Sequence, residues 1–418
     1  MAATSSLYAS NDSILMERIF SASTTWSPPF DCRAYVTVIG AGASGASARN
    51  TSDHRAAAAS GGGAGGSAKS LLRLDSSVTY TITIGAGGTS VTGITGTAYG
   101  VDGESSVFSG SDITDMTSTG GIKGVQAVAA GTVATQAGGV GGSATGGNVW
   151  NVTGGAGGSA TVSYWETNGV HHAAAGGGAA GVLGTSYRGG NALLSVDAYD
   201  KAVATGGGGV GGRGGDGTVS GGVVTLVHTQ GGSGDHDGDD LSTGASATSK
   251  GIWENAANTG NNPILNQVHN NTARLGLNVA GSGVSGAYNG TYYTQWLDAH
   301  LGSQGQTASI FHGLTGQGGS RTFGDTQRPS GPGAGGSGYA YYASGSTYIN
   351  MSAGLFGGGG GGVVNYSGSS GDTNIGYSGA GSFGAGGGGI AGYASSSNAH
   401  NSGTGGAGLV VVTILEAL

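Results

Sequence analysis

The densest acid cluster of the chain is Asp235-His236-Asp237-Gly238-Asp239-Asp240. Alternating carboxylates on a glycine loop can offer hard oxygens to Ca2+, and Asp235, Asp237, Asp239 and Asp240 are the candidate ligands. The calcium-loop pattern is incomplete, with no glycine at its sixth position and Ser246 at its twelfth, so a solvated acidic loop is the other reading. The nearby Gly211 to Gly217 stretch looks like a single calcium nonapeptide, but it stands alone and has Thr218 where an apolar residue belongs. His171-His172 sits on the loop Trp165 to Val170; zinc would need a Cys or a spaced third ligand beside them, and a surface-loop role is the expectation. Gly40-Ala41-Gly42-Ala43-Ser44-Gly45 follows a strand and matches a dinucleotide fingerprint. The acid that should hold a ribose about 20 residues on is misplaced, since Asp53 comes early and Asp75 late. A second strand, Tyr80 to Ile84, runs into Gly85-Ala86-Gly87-Gly88 in the same manner, so both junctions read as architecture. Gly66-Ser67-Ala68-Lys69-Ser70 has Ala68 where a phosphate loop needs glycine. No Ser/His/Asp set and no acid pair stands out, so the chain is not expected to be an enzyme, and apart from Ca2+ no cofactor is expected.

The aromatic residues form a better pattern. Tyr288, Tyr292, Tyr293 and Trp296 make one cluster, and Tyr339, Tyr341, Tyr342 and Tyr348 another. Tyr164 and Trp165 precede His171 and His172, and Tyr393 leads into Ser395-Ser396-Ser397-Asn398. Tyrosine mixed with Ser, Gly and Asn is the composition of adaptable recognition loops, because the ring offers area at low entropy cost. The alternative is that these rings cover the edges of a glycine layer.

That layer must position them. Ninety-six of 418 residues are glycine, in runs such as those starting at Gly61, Gly206, Gly357 and Gly386. With five prolines and no strict triplet the chain is not collagen. Only 9% of residues are charged and 37% are apolar, which argues for a folded chain despite the glycine content. A net charge of −8 and fourteen scattered Lys and Arg exclude a phosphate-tracking surface, so no nucleic acid partner is expected. One cysteine, Cys32, rules out an intrachain disulfide framework. No apolar leader and no membrane-length apolar stretch is read, so synthesis in a cytoplasm is expected.

Glycine has no side chain to bury, so backbone hydrogen bonds must hold such a fold. The geometry that fits is the three-residue, left-handed helix of the polyproline II type, which has no internal hydrogen bonds and must be bundled. Gly138 to Ser143, Gly154 to Ser159 and Gly208 to Asp216 carry one side chain every third residue, as such bundles require. Flexible glycine loops between strands are the alternative. The expected fold is mainly β and irregular, a layered sandwich of polyglycine II helices with a small β-sheet formed by the terminal strands.

Strands are expected at 35–39, 71–74, 78–84 and 409–415 from β-branched content and alternation. Residues 1–34 contain few glycines and end at Pro28-Pro29, and read as an attachment segment. Residues 35–120 read as a β and glycine-rich base, and 121–418 as a glycine-rich scaffold with aromatic loops. Glycine thins between 251 and 313, a stretch that reads as an inserted subdomain or one long excursion.

Trp26-Ser27-Pro28-Pro29, Val36 to Gly42, the run at Gly61 and Tyr80 to Gly88 together resemble the glycine-rich domain of bacteriophage tail fibre and tail tip proteins. The ending Gly405 to Glu416 resembles the way such domains finish. The dense glycine motifs between aromatic segments are similar in style to the distal adhesin of T-even-type long tail fibres. The resemblance covers the termini, while residues 220–330 depart from it. It implies a polyglycine II sandwich displaying loops that bind a host outer-membrane protein or a surface polysaccharide. The implied location is the virion tail, with residues 1–34 joined to other tail proteins and a homotrimer as the fibre-like oligomer. A purely structural fibre, spike or decoration protein is the alternative.

Overall fold

The computed structural model describes residues 15–50, 56–93, 96–129, 134–162, 171–181, 184, 186–195, 201–209, 214, 216–220, 223–228, 239–242, 286–289, 335–336, 338–343, 348–350, 358–367, 375–393 and 400–418. Among them there are strands and irregular segments and no helix.

The chain shuttles between two ends. β1 (Met16–Phe20), β2 (Thr24–Trp26) and β3 (Cys32–Ile39) lie at the base. Residues 40–46 lead from β3 to β4 (Ser47–Asn50) at the far end, β5 (Ala56–Ala59) turns back, and residues 60–66 return to β6 (Ser67–Leu74). The excursion is repeated by β7 (Tyr80–Thr83), β8 (Thr92–Gly93), β9 (Gly96–Ala98) and β10 (Ser106–Ser109). It is repeated again by β11 (Met116–Ser118), β12 (Gln126–Ala129), β13 (Ala134–Gln136) and β14 (Ala144–Thr145). β15 (Trp150–Val152) starts from the base and runs out to β16 (Ala160–Val162). The strands that follow all belong to far-end sheets: β17 (His171–Ala174), β18 (Ala192–Ser195), β19 (Lys201–Ala204), β20 (Gly217–Ser220), β21 (Val223–His228), β22 (Asp239–Ser242), β23 (Gly286–Asn289), β24 (Tyr339–Ala343), β25 (Tyr348–Asn350), β26 (Val363–Ser367), β27 (Ile375–Tyr377), β28 (Ile390–Tyr393) and β29 (His400–Asn401). β30 (Leu409–Ala417) returns to the base.

Two antiparallel sheets form the base, in the orders β1-β30-β3-β6-β15 and β14-β11-β10-β7-β2. Alternation decides their inner faces: Ala34, Val36 and Val38 on β3 and Val410, Val412 and Ile414 on β30 are buried, with Tyr80, Ile82, Phe108 and Met116 from the facing sheet. Tyr80 stacks on Phe108 at 5.3 Å, and its hydroxyl donates to Asp112 Oδ2 at 2.8 Å. Burial and that donation push the Tyr80 phenol well above its ordinary value. The terminal strands pair as expected, β3 against β30, and the strand at 71–74 is the end of the longer β6. The described part of the 1–34 segment is built into this sandwich, β1 on β30 and β2 on β7. Base and far end draw strands from the same passes, so residues 35–120 and 121–418 contribute to both. Of the stretch 251–313, only Gly286–Asn289 is described; it forms β23, an edge strand on β19.

Between the two ends the glycine segments are held mainly by backbone hydrogen bonds, with a few serine hydroxyls such as those of Ser44 and Ser60 added. The amides of Gly40, Ala43 and Ala46 donate to Gly66, Gly63 and Ser60 at 2.9–3.1 Å. Those of Ala41 and Ser44 donate to Glu104 and Val101, and those of Gly42 and Gly45 to Gly406 and Gly403. Successive residues thus bond three different neighbours, and each neighbour is met every third residue. The 60–66 segment behaves identically. Ser60, Gly63 and Gly66 reach Val125, Ile122 and Thr119; Gly61 and Ala64 reach Gly158 and Gly155; Gly62 and Gly65 reach Gly387 and Gly384. Each bond adds about 1 kcal/mol net, and at the glycine positions the close approach that makes it possible leaves no room for a side chain. Where a segment reverses at Gly384, φ is 70°, a conformation glycine adopts freely.

Candidate functional site

The far end is a stack of four small sheets. In order they are β25-β27-β29-β8, β24-β26-β28-β4-β9, β12-β5-β17-β19-β23 and β13-β16-β18-β20-β21-β22. Passes that arrive from the base in the same direction pair in parallel, so β24, β26, β28 and β4 run side by side. Parallel sheets need cover on both faces, and the stack supplies it. Ala48, Val364 and Ala391 of the second sheet meet Ala57, Ala59, Ala174 and Ala204 of the third, all buried.

In-register pairing aligns residues that are far apart in sequence. Tyr342 pairs with Tyr366, Tyr366 with Tyr393, and Tyr393 with Asn50, one row across four strands near their outer ends. The preceding row is Tyr341, Asn365, Gly392 and Arg49, and Tyr339 stands in the row of Val363, Ile390 and Ser47. In the first sheet Tyr348 pairs with Ile375, and Asn350 with Tyr377. Tyr377 pairs in turn with Asn401, and Asn401 with Thr92. Tyr288 on β23 pairs with Ala202. Tyr339, Tyr341, Tyr342, Tyr348, Tyr393 and Tyr288 are therefore all on far-end strands, where loops were expected. Tyr164, Trp165, Tyr292, Tyr293 and Trp296 lie outside the described residues. Tyr366, Tyr377 and Asn50 went unnoticed in the sequence; each ends or nearly ends a short strand next to a polar stretch.

A model of a glycine-rich domain matches residues 20–251, more than half of the chain. The chain belongs to this glycine-rich domain family. A search of curated proteins finds no match. The matched span of the glycine-rich domain takes in most of the base and passes into the far-end stack.

The geometry bears on three of the motifs singled out in the sequence. The fingerprint at Gly40 to Gly45 spends every one of its amides on other backbone, leaving none to cradle a phosphate, and Ala56–Ala59 is a strand. His171 and His172 are on β17, and His172 is fully buried, so it is corrected from a loop residue to an interior one. The reason is the run His-His-Ala-Ala-Ala-Gly, which continues a glycine pass outward as a strand between β5 and β19. Asp239 and Asp240 start β22, while Asp235 and Asp237 lie outside the described residues. Among the described residues no group of three His, Cys, Asp or Glu gathers for a metal ion. Asp216, the acid of the nonapeptide-like stretch, receives both Arg188 guanidinium nitrogens at 2.7 Å and the Asn191 amide at 2.6 Å. Lys69 of the phosphate-loop-like stretch sits 4.6 Å from the Tyr35 ring centroid and 4.7 Å from that of Trp150.

Between the first and second far-end sheets, Arg49 and His400 are both buried. Ser47 Oγ donates to the His400 carbonyl at 2.8 Å. Burial first, then the Arg49 charge, lowers the His400 pKa from 6.5 to about 3. Arg49 on β4 is the charged group facing it; the described residues of β8, β27 and β28 carry none. A histidine that resists protonation when folded binds protons more readily unfolded. Its contribution is therefore complete above pH ~6.5 and is lost as pH falls toward ~3, at up to about 1.4 kcal/mol per pH unit. Melting curves recorded from pH 7.5 down to 4 should show a falling midpoint for the natural chain. His400→Leu should flatten that part of the profile, and an unchanged profile would remove His400 as its cause.

Proposed function

We propose that this glycine-rich protein is a bacteriophage tail-fibre or tail-tip adhesin that binds a host cell-surface receptor. One observation carries the reading: the fold separates an apolar sandwich at one end from a stack of short strands bearing tyrosines at the other. A scaffold held by backbone bonds leaves those residues free to vary without loss of the layers, and tyrosine is a favoured hot-spot residue. In this reading the glycine passes are polyglycine II helices layered as a sandwich, supported by bonding that turns to a new neighbour at each residue and returns every third. The base attaches to other tail proteins through residues 1–34, whose strand β1 leaves Leu15 and Ile19 exposed at a sheet edge. The protein then acts in the virion tail and needs no cofactor.

A purely structural virion part is the second reading. It is favoured by exposed Val101, Ile122 and Val140 on neighbouring glycine passes, with Tyr99 beside them, an apolar flank suited to packing against another component. Alanine substitutions made one tyrosine cluster at a time separate the two. Replacing Tyr339, Tyr341 and Tyr342 together should cut adsorption to host cells tenfold or more, about 1.4 kcal/mol, with melting unchanged. Normal adsorption after truncation of every cluster would leave the structural role.

A further inference from the structure

The outermost strands of the base are β1 and β15 in its first sheet and β14 and β2 in its second. β15, β14 and β2 are only two or three residues long, and β2 runs into Ser27-Pro28-Pro29. Short strands and nearby prolines blunt a sheet edge against pairing. β1 is different: its five residues, Met16-Glu17-Arg18-Ile19-Phe20, include no glycine or proline. One side of its backbone pairs with β30, and among the described residues no strand pairs with the other side. Leu15 and Ile19 are exposed along this edge.

Arg18 tells what kind of strand fits there. Met16 and Phe20 pack on the base core, so alternation turns Arg18 to the same inner face, opposite the buried Val412. Its Nε is buried with no hydrogen-bond partner, and among the described residues no carboxylate pairs with it. A buried donor left unsatisfied is costly, and a carboxylate that takes two guanidinium nitrogens removes the cost. An added strand brings a directly opposed residue to about 4.5–5.5 Å at Cβ, within reach of that contact.

A second β1 does not supply the acid. Antiparallel pairing of two copies about a two-fold axis sets Arg18 against Arg18, Met16 or Phe20. The other edges of the base, Thr24–Trp26, Ala144–Thr145 and Trp150–Val152, contain no Asp or Glu. Arg18 therefore discriminates, because it disfavours a copy of its own strand and favours a foreign strand with an acid at the matching place.

We infer that the free edge of β1 is completed by a strand of a different tail protein, whose Asp or Glu pairs with Arg18 and whose residue beside Ile19 is apolar. The inference rests on the reading that residues 1–34 attach the chain to the tail, and it names the mode of attachment and the partner's chemistry. Main-chain bonds supply the grip, and the Arg18 pair fixes the register.

The test presents the full chain with nine-residue peptides that tile the other proteins of the virion. Peptides that bind should alternate in apolar residues and carry an acid, and changing that acid to its amide should weaken binding tenfold or more. Arg18→Glu should weaken binding as much. A peptide with lysine in place of the acid should bind Arg18→Glu within threefold of the natural pair, which also shows that the variant is folded. Hydrogen exchange on the natural chain should gain protection at residues 15–20 and none at the far end. Binding indifferent to the acid or to Arg18→Glu, or protection away from β1, overturns the inference. A dimer of the chain that protects residues 15–20 also overturns it, by putting a second copy on the edge. If no peptide binds while the natural chain is present in purified virions, the added strand is wrong and the attachment stands. Absence of the natural chain from purified virions overturns the tail reading itself, and the inference with it.

Discussion

Gly62→Ala is expected to prevent folding. A methyl group there meets the carbonyl oxygens of Ala43 and Ser44, and its nearest neighbours are all backbone. The site cannot relax by moving a side chain, because its neighbours are main chain already committed to hydrogen bonds. Gly62 donates to Gly387 at 2.9 Å and accepts from Gly178 at 3.0 Å, and Ala43 in turn donates to Gly63 at 2.9 Å. Making room parts whole segments. Overpacking of ordinary cores costs about 1–3 kcal/mol, and the lost bonds add about 1 kcal/mol each. A total above ~4 kcal/mol is a large share of the ~5–15 kcal/mol that holds a typical domain. Gly386→Ala should behave alike, since its methyl would overlap the Gly62 carbonyl. Val140→Ala, on an exposed side chain of the same layer, should change stability by less than about 0.5 kcal/mol. Soluble yield and melting temperature of the three variants check the contrast; natural melting of Gly62→Ala would show that the segments are not packed this closely.

Removal of residues 409–418 is the second change with a very large expected effect. β30 lies inside its sheet, with β1 on one side and β3 on the other. Val410, Val412 and Ile414 are completely buried in the base core. Each such side chain contributes about 1.5–3 kcal/mol, before the ladder bonds to two strands are counted. The truncated chain should lose its cooperative melting transition, and Val412→Asp should do the same by burying an unpaired charge. A truncated chain that melts at the natural temperature would refute the placement of β30 at the centre of the base.

The base was legible in the sequence because its strands carry their own signal. Val36, Val38, Ile82, Val410 and Val412 alternate with exposed or half-exposed partners, and that period needs no knowledge of a neighbour. The glycine passes were legible as a composition and a triplet habit, though not in their connectivity. Gly42 gives no hint that its partner is Gly406, because glycine has no side chain to encode a register. The tyrosine row was hidden for the same reason. Tyr342, Tyr366 and Tyr393 sit at irregular intervals in the sequence, and Asn50 is hundreds of residues from all three; only parallel pairing aligns them. His172 was misjudged because a histidine pair after a polar loop looks exposed, while the alanines behind it belong to a buried strand.

The pairing of β1 and β3 with β30 also sets a timetable. Arg33 and Glu416 are 383 residues apart in the chain and 3.2 Å apart in the fold. During synthesis the first sheet of the base lacks the strand that joins β1 to β3 until residues 409–417 have left the ribosome. At about 5–20 residues per second, the growing chain waits tens of seconds with the β1 and β3 edges that β30 will join left unpaired. Contacts of such long range also slow the closing step itself. Newly made molecules should therefore depend on a chaperone that shields the open strand edges until β30 emerges, and yield should track chaperone supply more closely than transcript level.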